Sequence, residues 1–405
     1  MSFGIALSGI SAAQTDLAAT ANNIANSETS GFKSSRAQFA ELYAVSQLGV
    51  SDTQTGNGVR TSSIAQQFTQ GDIESTGNSL DVAISGNGFF VLSDSGSTVF
   101  SRSGAFKTDN SGYVVNDSGQ YLQVYPPNDN GTFNTSTRTN LQLATSDSAP
   151  NATTSVDMIY NLPSDASVPT STTFDPTDTD SYNKSTSLTV YDSLGAAHTA
   201  TMYFVKTANT GEWDAHLYVD GTAVGTQTLT YSSTGTLTSP SPATALSFGT
   251  YTPTTGADAL DMTFDLSSST QYGSNFAVNS ITQDGYTTGS LTGISVDASG
   301  IVQARFTNGR SINLGQLAIA NFPSEQGLQP LGDTNWGETY ASGQPIYGEA
   351  GGSGFGLFQS GSLEKSNVDV TAQLVNMITA QRYFQANAQM ISTEDQITQT
   401  IINIR

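Results

Sequence analysis

Hydrophobic positions recur at steps of three and four at the two ends of the chain and at steps of two between them. The first stripe is Phe3, Leu7, Ile10, Gln14, Leu17, Ala21 and Ile24; the last is Val370, Leu374, Met377, Gln381, Phe384, Ala388 and Ile391. Alternating steps of four and three are the seam spacing of a coiled coil. The polar break falls at the same place in each stripe, at Gln14 and Gln381. The pattern predicts two matched amphipathic helices. The first should end near Ser30-Gly31, with Gly31 as its C-cap. The second should start at Asn367 as N-cap, with Asp369 favouring the first turn. Beyond Ile391 the stripe drifts to Ile397 and Ile401, which favours a straight helix over a long supercoil.

The faces away from the first stripe carry Ser8, Ser11, Thr15, Thr20, Asn22 and Asn23, with Asp16 the only charge before Glu28. A lone surface helix normally carries charge there. Small uncharged faces instead permit close packing on several sides, as in a bundle of many copies. Free tails are often disordered, so the expectation is tails that order into helices on assembly.

From Leu80 the period changes to two. Val82 and Ile84 alternate with other residues, and Gly88-Phe89-Phe90-Val91-Leu92 follows. Turn chemistry recurs at Asp94-Ser95-Gly96, Asn110-Ser111-Gly112, Asp117-Ser118-Gly119 and Asp297-Ala298-Ser299-Gly300, between short β-rich runs. Near residue 145 the composition shifts to Ser, Thr, Asp and Pro, and a new strand set begins at Leu188. The predicted fold is mainly β with α-helical termini: nested discontinuous β-domains plus a coiled-coil-like pair of terminal helices. The expected division is 1–30 with 367–405 (helices), 31–70 with 345–366 (linkers), 71–145 with 282–344 (inner β-domain) and 146–281 (inserted outer β-domain). Gly351, Gly352, Gly354 and Gly356 read as a flexible hinge.

The chain has 405 residues, enough for about two to three domains. Thirteen basic residues face 34 acidic ones, a net charge of −21, which argues against a nucleic-acid partner. There is no cysteine, so disulfides and thiolate metal sites are excluded. The opening Met-Ser-Phe-Gly-Ile-Ala lacks the basic and apolar regions of a cleaved signal peptide. No apolar run of about 18 residues is present, so membrane insertion by a helix is not expected.

Candidate chemistry is sparse, and no cofactor or enzymatic activity is expected. His198 and His216 fall on neighbouring predicted strands, with Asp214 the only obvious further ligand. Asp175 to Asp180 resembles a calcium loop but lacks the glycine and distal glutamate of that motif, and reads as a solvated acidic loop. The glycine run 351–356 lacks the Lys-Ser/Thr of a phosphate loop. A glycan-binding adhesin would need exposed aromatics, for which Trp213, Tyr203 and Tyr218 are the local candidates.

The run Asn22, Asn23, Ile24, Ala25, Asn26 through Gly31, Phe32 and Lys33 resembles the N-terminal signature of bacterial flagellar axial proteins, the rod, hook and hook-associated subunits. Ser366 to Asp369, continuing through Gln381-Arg382-Tyr383-Phe384-Gln385-Ala386-Asn387, is similar to the other end of that family. Asp81 to Ile84 with Gly86 to Phe90 looks like a block shared by rod and hook subunits. The segments Asp180 to Lys184, Thr189 to Gly195 and Tyr203 to Val205 resemble the outer domain of hook subunits, and rod subunits lack an insert of this size. The resemblance implies a non-enzymatic structural subunit of the extracellular flagellum. It would polymerise through the terminal helices, namely Phe3, Leu7, Ile10, Leu17, Ile24, Val370, Leu374, Met377, Phe384, Ile391, Ile397 and Ile401. It further implies a flexible helical tube acting as a universal joint between motor and filament. Implied partners are rod and hook-associated junction proteins at the tube ends, and a hook cap and the flagellar type III export apparatus during assembly. A distal rod or another axial subunit is the nearest alternative reading.

Overall fold

The computed structural model describes residues 2–42, 56–128, 130–143, 147–171, 173–240 and 245–403. The chain forms two compact units. The first takes Met1–Thr145, Gly293–Arg305 and Ser311–Arg405; the second takes Ser146–Thr292 and Phe306–Arg310.

The first unit holds both terminal helices, α1 (Ser2–Ala25) and α2 (Val370–Asn403). After α1 come β1 (Ser35–Glu41) and β2 (Val59–Gln66), an antiparallel pair. The expected linker over 31–70 is therefore partly a β-ribbon, and its residues 43–55 lie outside the described residues. The short strands β3 (Ile73–Ser75) and β4 (Val82–Ser85) pair with Ser362–Glu364 and Leu357–Ser360 respectively. These two pairings close the discontinuous domain, because each joins chain from before the insertion to chain from after it.

The large sheet is built around β5 (Phe89–Asp94), which pairs with β6 (Ser97–Ser101) and with Tyr121–Tyr125 and Ile319–Asn321. Side chains alternate faces along a strand. Phe90 and Leu92 enter a core with Val82, Ile84, Val124 and Phe358, while Phe89 and Val91 enter another with Phe100, Phe322 and Trp336. The unbroken apolar run that the sequence shows there follows from burial of the strand on both faces.

The glycine run is a pinned turn in place of an open hinge. Gly351 donates to Gly356 O at 3.0 Å, Phe355 to Gly352 O at 3.0 Å and Gly356 to Asn87 O at 2.8 Å. A side chain on Gly356 would strike Ser85 O and Ile84, so glycine is required there by close approach to β4. The segment 345–366 thus belongs to the β-domain.

The inserted unit extends past the expected boundary at 281. Ser148 bridges to Gly289 and Asn151 to Tyr286, and Ala277–Gln283 pairs along Ser155–Pro163. One sheet is an antiparallel meander of Lys184–Tyr191, Ala197–Lys206, Glu212–Val219, Thr222–Tyr231 and Leu237–Ser239. Its buried alternates Ala200, Met202, Phe204, Trp213, Ala215 and Leu217 share a core with Val156, Met158, Tyr160, Met262 and Phe264 of the second sheet.

His198 ties turns of this unit together. Its Nδ1 lies 2.6 Å from Asp220 Oδ2 and its Nε2 3.3 Å from Asp192 Oδ2. Tyr251 and Thr255 hydroxyls also donate to these two carboxylates. Burial pulls the imidazole pKa down, but the two carboxylate hydrogen bonds outweigh it and hold it above the usual value. Asp192 is pushed up by burial, yet donors from Ala196, His198, Thr255 and Leu194 bring it below the usual carboxylate range. Asp220 is also lowered, first by His198. A raised histidine stabilises fully below its unfolded value, about 6.5, and loses that contribution as pH rises through its folded value. The lowered aspartates stabilise above about 3.9 and lose their contribution as pH falls through their folded values. The inserted unit should therefore melt highest in mildly acidic solution. Calorimetry is expected to show its transition falling from pH 6 to pH 9, with the fall abolished in His198→Gln; an equal fall in that variant would refute the assignment.

Candidate assembly interface

The two terminal helices pair within one chain, so neither waits for a neighbouring copy to form. Asn23 Nδ2 donates to Gln373 Oε1 at 3.3 Å, and a side chain on Gly9 would meet Asn387. These contacts lie at the start of α2 and four turns later, which makes the pair antiparallel. The face of α1 that is buried is the small one: Ala6, Ala13, Thr20 and Asn23. On α2, Ala380 is buried and Gln373, Met377, Phe384, Asn387 and Ile391 are half-buried. Small residues let two backbones approach closely, and part of the predicted stripes is displaced outward. Phe3 and Leu7 stay 53% and 54% exposed, and Leu374 and Ile401 47% and 64%. Val370 and Ile397 are exposed as well, while Ile10, Leu17 and Ile24 are half-buried. The stripe read from the sequence is thus divided: Met377, Phe384 and Ile391 share the seam with small residues that hydrophobicity alone does not mark, and Phe3, Leu7, Val370, Leu374, Ile397 and Ile401 are left exposed.

A second face of α1 meets the β1–β2 ribbon. Ser8 Oγ accepts the Val59 N–H at 3.1 Å, and Thr61 Oγ1 lies 3.5 Å from Thr15 Oγ1. The small polar residues of α1 therefore serve contacts inside the subunit. Partial burial raises the carboxyl of Asp16, the lone charge of this stretch, above its usual value.

The signature residues form the root of the helix pair. α1 stops at Ala25, earlier than expected, because asparagine side chains take over the backbone. Asn26 Nδ2 donates to Asn22 O at 2.9 Å, and Asn26 Oδ1 accepts the Thr29 hydroxyl. Asn23 grips the Ser35 backbone on both sides, donating to its carbonyl and accepting its N–H, each at 2.8 Å. Gly31 (φ +70°) does not cap the helix. Its Cα sits against the backbone of Arg102 and Ser103 so closely that a side chain cannot fit, and its N–H donates to Glu364 O at 2.8 Å. Phe32 continues the turn, donating its N–H to Thr29 O. On the other side Asn367 is not the N-cap. Asp369 caps α2, its Oδ1 accepting from Thr371 and Ala372 at 2.9 and 3.1 Å. Asn367 instead accepts the Ser34 N–H at 2.8 Å and donates to Gln67 O at 2.7 Å and Thr69 O at 3.0 Å.

Beneath this lies a buried ion cluster. Glu364, 1% exposed, receives Lys33 Nζ at 2.6 Å, Arg102 Nη1 at 3.3 Å and the Gly71 N–H at 2.9 Å. Lys33 also donates to Thr69 O at 2.8 Å. Burial lowers the pKa of both cations, and Glu364 opposes that shift. Sequence reading singled out Lys33 but missed Glu364 and Arg102, which stand in ordinary strand contexts far along the chain.

The histidines do not converge: His216 registers with Tyr203, accepts or donates to Thr226, and stacks on Phe174 at 4.0 Å. Asp214 bonds Thr228, and among the described residues no cluster of His, Asp or Glu is placed to hold a metal. Asp175 and Asp178 accept from the backbone of their own loop. Trp213 is fully buried, which removes it from any glycan platform, and Tyr203 and Tyr218 are half-buried against Phe174.

Four family models match the chain: the flagella basal body rod protein at 3–33, the flagellar hook protein FlgE/F/G D1 domain at 83–158, the flagellar basal body protein FlaE D2 domain at 161–286 and the flagellar basal body rod FlgEFG protein C-terminal region at 359–404. The flagellar hook protein FlgE of Escherichia coli K12 is 40% identical over 417 aligned residues, covering 100% of both chains. The chain belongs to the flagellar hook protein family. The Salmonella typhimurium hook protein FlgE is 41% identical with 100% of both chains covered, and that of Borreliella burgdorferi 30% identical with 98% of each covered. The crystal structure of the Helicobacter pylori hook protein FlgE2 covers 72% of this chain and 100% of its own, with a TM-score of 0.54 at 14% identity, which shows a shared fold. Full-length matching to hook proteins places this chain with the structural subunits of the flagellar hook, ahead of the rod and adhesin readings.

Removing the central charge of the root should be costly. Glu364→Gln leaves Lys33 and Arg102 buried without their hydrogen-bonded counter-charge, with only the unbonded Glu325 carboxylate still acting on them, a change worth about 3–5 kcal/mol. Urea unfolding of the full chain is expected to show that loss in the first unit; a change under about 1 kcal/mol, as for a surface pair, would contradict the role given to it.

Proposed function

We propose that many copies of this hook subunit pack through the outward apolar faces of α1 and α2 to form the inner wall of a flexible tube. That tube acts as a universal joint carrying motor torque to the filament. The observation that carries this reading is the apolar surface the pair leaves uncovered: Phe3, Leu7, Val370, Leu374, Ile397 and Ile401 remain 40% to 64% exposed. Exposed apolar surface of this extent marks an interaction site. Burying the remaining half of each side chain contributes about 1 kcal/mol per residue, repeated along every copy.

Flexibility requires contacts outside the helical wall that do not lock. The inserted unit supports this with three basic residues, Lys184, Lys206 and Arg310, against fourteen acidic ones. Lys206 spends its ammonium on the Thr207, Asn209 and Glu212 carbonyls, and Arg310 stacks on Tyr286 at 4.7 Å. Facing copies of this unit repel more than they pair, so no register is fixed by intersubunit ion pairs. The family resemblance of the end motifs supports the remaining parts of the reading. These are export through the flagellar type III apparatus without a cleaved signal peptide, assembly beneath a hook cap, and junction with rod and hook-associated proteins at the two ends.

Leu374→Asp tests the interface, because Leu374 is exposed in the single chain and its loss need not disturb the fold. Concentrated wild-type protein should form curved tubes by negative-stain electron microscopy. The variant should stay monomeric with an unchanged circular dichroism spectrum, since a charge buried on a packed seam is strongly disfavoured. Normal tubes from the variant would remove the helices as the interface, and straight wild-type rods would favour a rod subunit.

A further inference from the structure

Tyr340 stands fully exposed, yet the loop that carries it is firmly built. Thr339 N–H donates to Ser342 Oγ at 2.9 Å, the Thr339 hydroxyl donates to Gly327 O, and Ala341 and Ser342 N–H both return to Thr339 Oγ1. Ser342 itself is fully buried. A rigid loop presenting a whole aromatic side chain to water has already met the ordering cost of binding, and tyrosine is the residue type that anchors interfaces.

The same unit carries a matching recess between the root of α1 and the Gln329–Gly337 hairpin. Its volume is about 300 Å³, and Asn22, Asn26, Phe32, Pro330, Thr334 and Trp336 line it. This is room for one large side chain and too small for a helix. Asn335 lies in the wall, 4% exposed, and its Oδ1 has no hydrogen-bond partner. A buried acceptor left unpaired is unfavourable, and the broad amide torsion of asparagine lets that oxygen turn towards an entering donor. Lys33, which also borders the recess, is committed to Glu364 and Thr69, and the exposed Asp333 carboxylate at its rim accepts from Ser118 Oγ, so the recess offers acceptors and aromatic walls to a donor.

We propose that Tyr340 of one copy enters the Phe32/Trp336 recess of a second copy, with its hydroxyl donating to Asn335 Oδ1. Tyr340 is not itself part of the recess lining, and a copy that gives its tyrosine to one neighbour and receives that of another makes a head-to-tail contact. Such contacts propagate into an open helical array instead of closing a dimer. The proposal rests on the polymer reading above and adds a contact formed by the β-domain and the α1 root, separate from the apolar helix faces.

The absence of cysteine makes a direct test available. Tyr340→Cys and Pro330→Cys, both at exposed positions, are combined in the full chain, polymerised, and treated with a short bis-maleimide. A ladder of covalent oligomers beyond the dimer is expected from the double variant, and none from either single variant. Polymers seen by electron microscopy that give no ladder would overturn the contact while leaving the polymer reading intact, as would dimers from Tyr340→Cys alone. Wild-type protein that forms no polymer would defeat that reading and this contact with it. In an independent measure, Tyr340→Ala should raise the critical concentration for polymerisation about tenfold and Tyr340→Phe by less, because the ring is kept and only the donor is lost. A critical concentration unchanged in Tyr340→Ala would also overturn the proposal.

Discussion

One buried carboxylate, that of Glu364, gathers the ion pairs at the root of both terminal helices. Lys33 arrives from just after α1, Arg102 from the end of β6, and the Gly71 N–H from the segment before β3. A buried charge is tolerable only when paired and hydrogen-bonded, so each of these segments is placed by its need to reach the same group. Asn23 and Asn367 add neutral bridges over the cluster, fixing Ser34 and Ser35 between the two helix ends. The helices therefore leave the β-domain from a polar joint of defined geometry, and everything the helices do in an assembly is referred to that joint.

The helix pair divides its residues between two tasks. Small side chains such as Ala6, Gly9, Ala13 and Ala380 close the pair inside the chain, and large ones such as Phe3, Leu7, Leu374 and Ile401 are left outside. A pair closed on its large residues would be more stable alone and would have little left with which to hold neighbours. Closing largely on small residues instead leaves apolar surface such as Phe3, Leu7 and Leu374 uncovered on the pair.

The broad plan was legible in the sequence for physical reasons. Periods of 3.6 and 2 separate cleanly, so helical ends around a β body were readable from Phe3 to Ile24, Val370 to Ile391 and the runs at Val82 to Leu92. Which stripe face closes the pair was not readable, because hydrophobicity marks what is buried somewhere and not against whom. The helix boundaries shifted because Asn26, Asn367 and Asp369 have side chains that serve equally as caps and as tertiary clamps. The glycine run 351–356 looked loose because composition cannot distinguish a slack chain from one drawn close to a neighbouring strand. The Lys33–Glu364 pair was invisible for a simpler reason: no local pattern connects residues so far apart.

That distance has a consequence in time. The partners of the ion pair stand 331 positions apart, and the strand pairings of β3 and β4 with Ser362–Glu364 and Leu357–Ser360 are nearly as remote. Loop-closure entropy delays such contacts until the intervening chain is compact. A chain that emerges amino end first through a narrow conduit can fold its inserted β-unit early, since that unit is almost entirely continuous in sequence. It cannot close its root until Glu364 and Asn367, just ahead of α2, have emerged. On the export reading proposed above, the subunit would stay unfinished through most of its passage, an order of events that follows from where Glu364 sits in the chain.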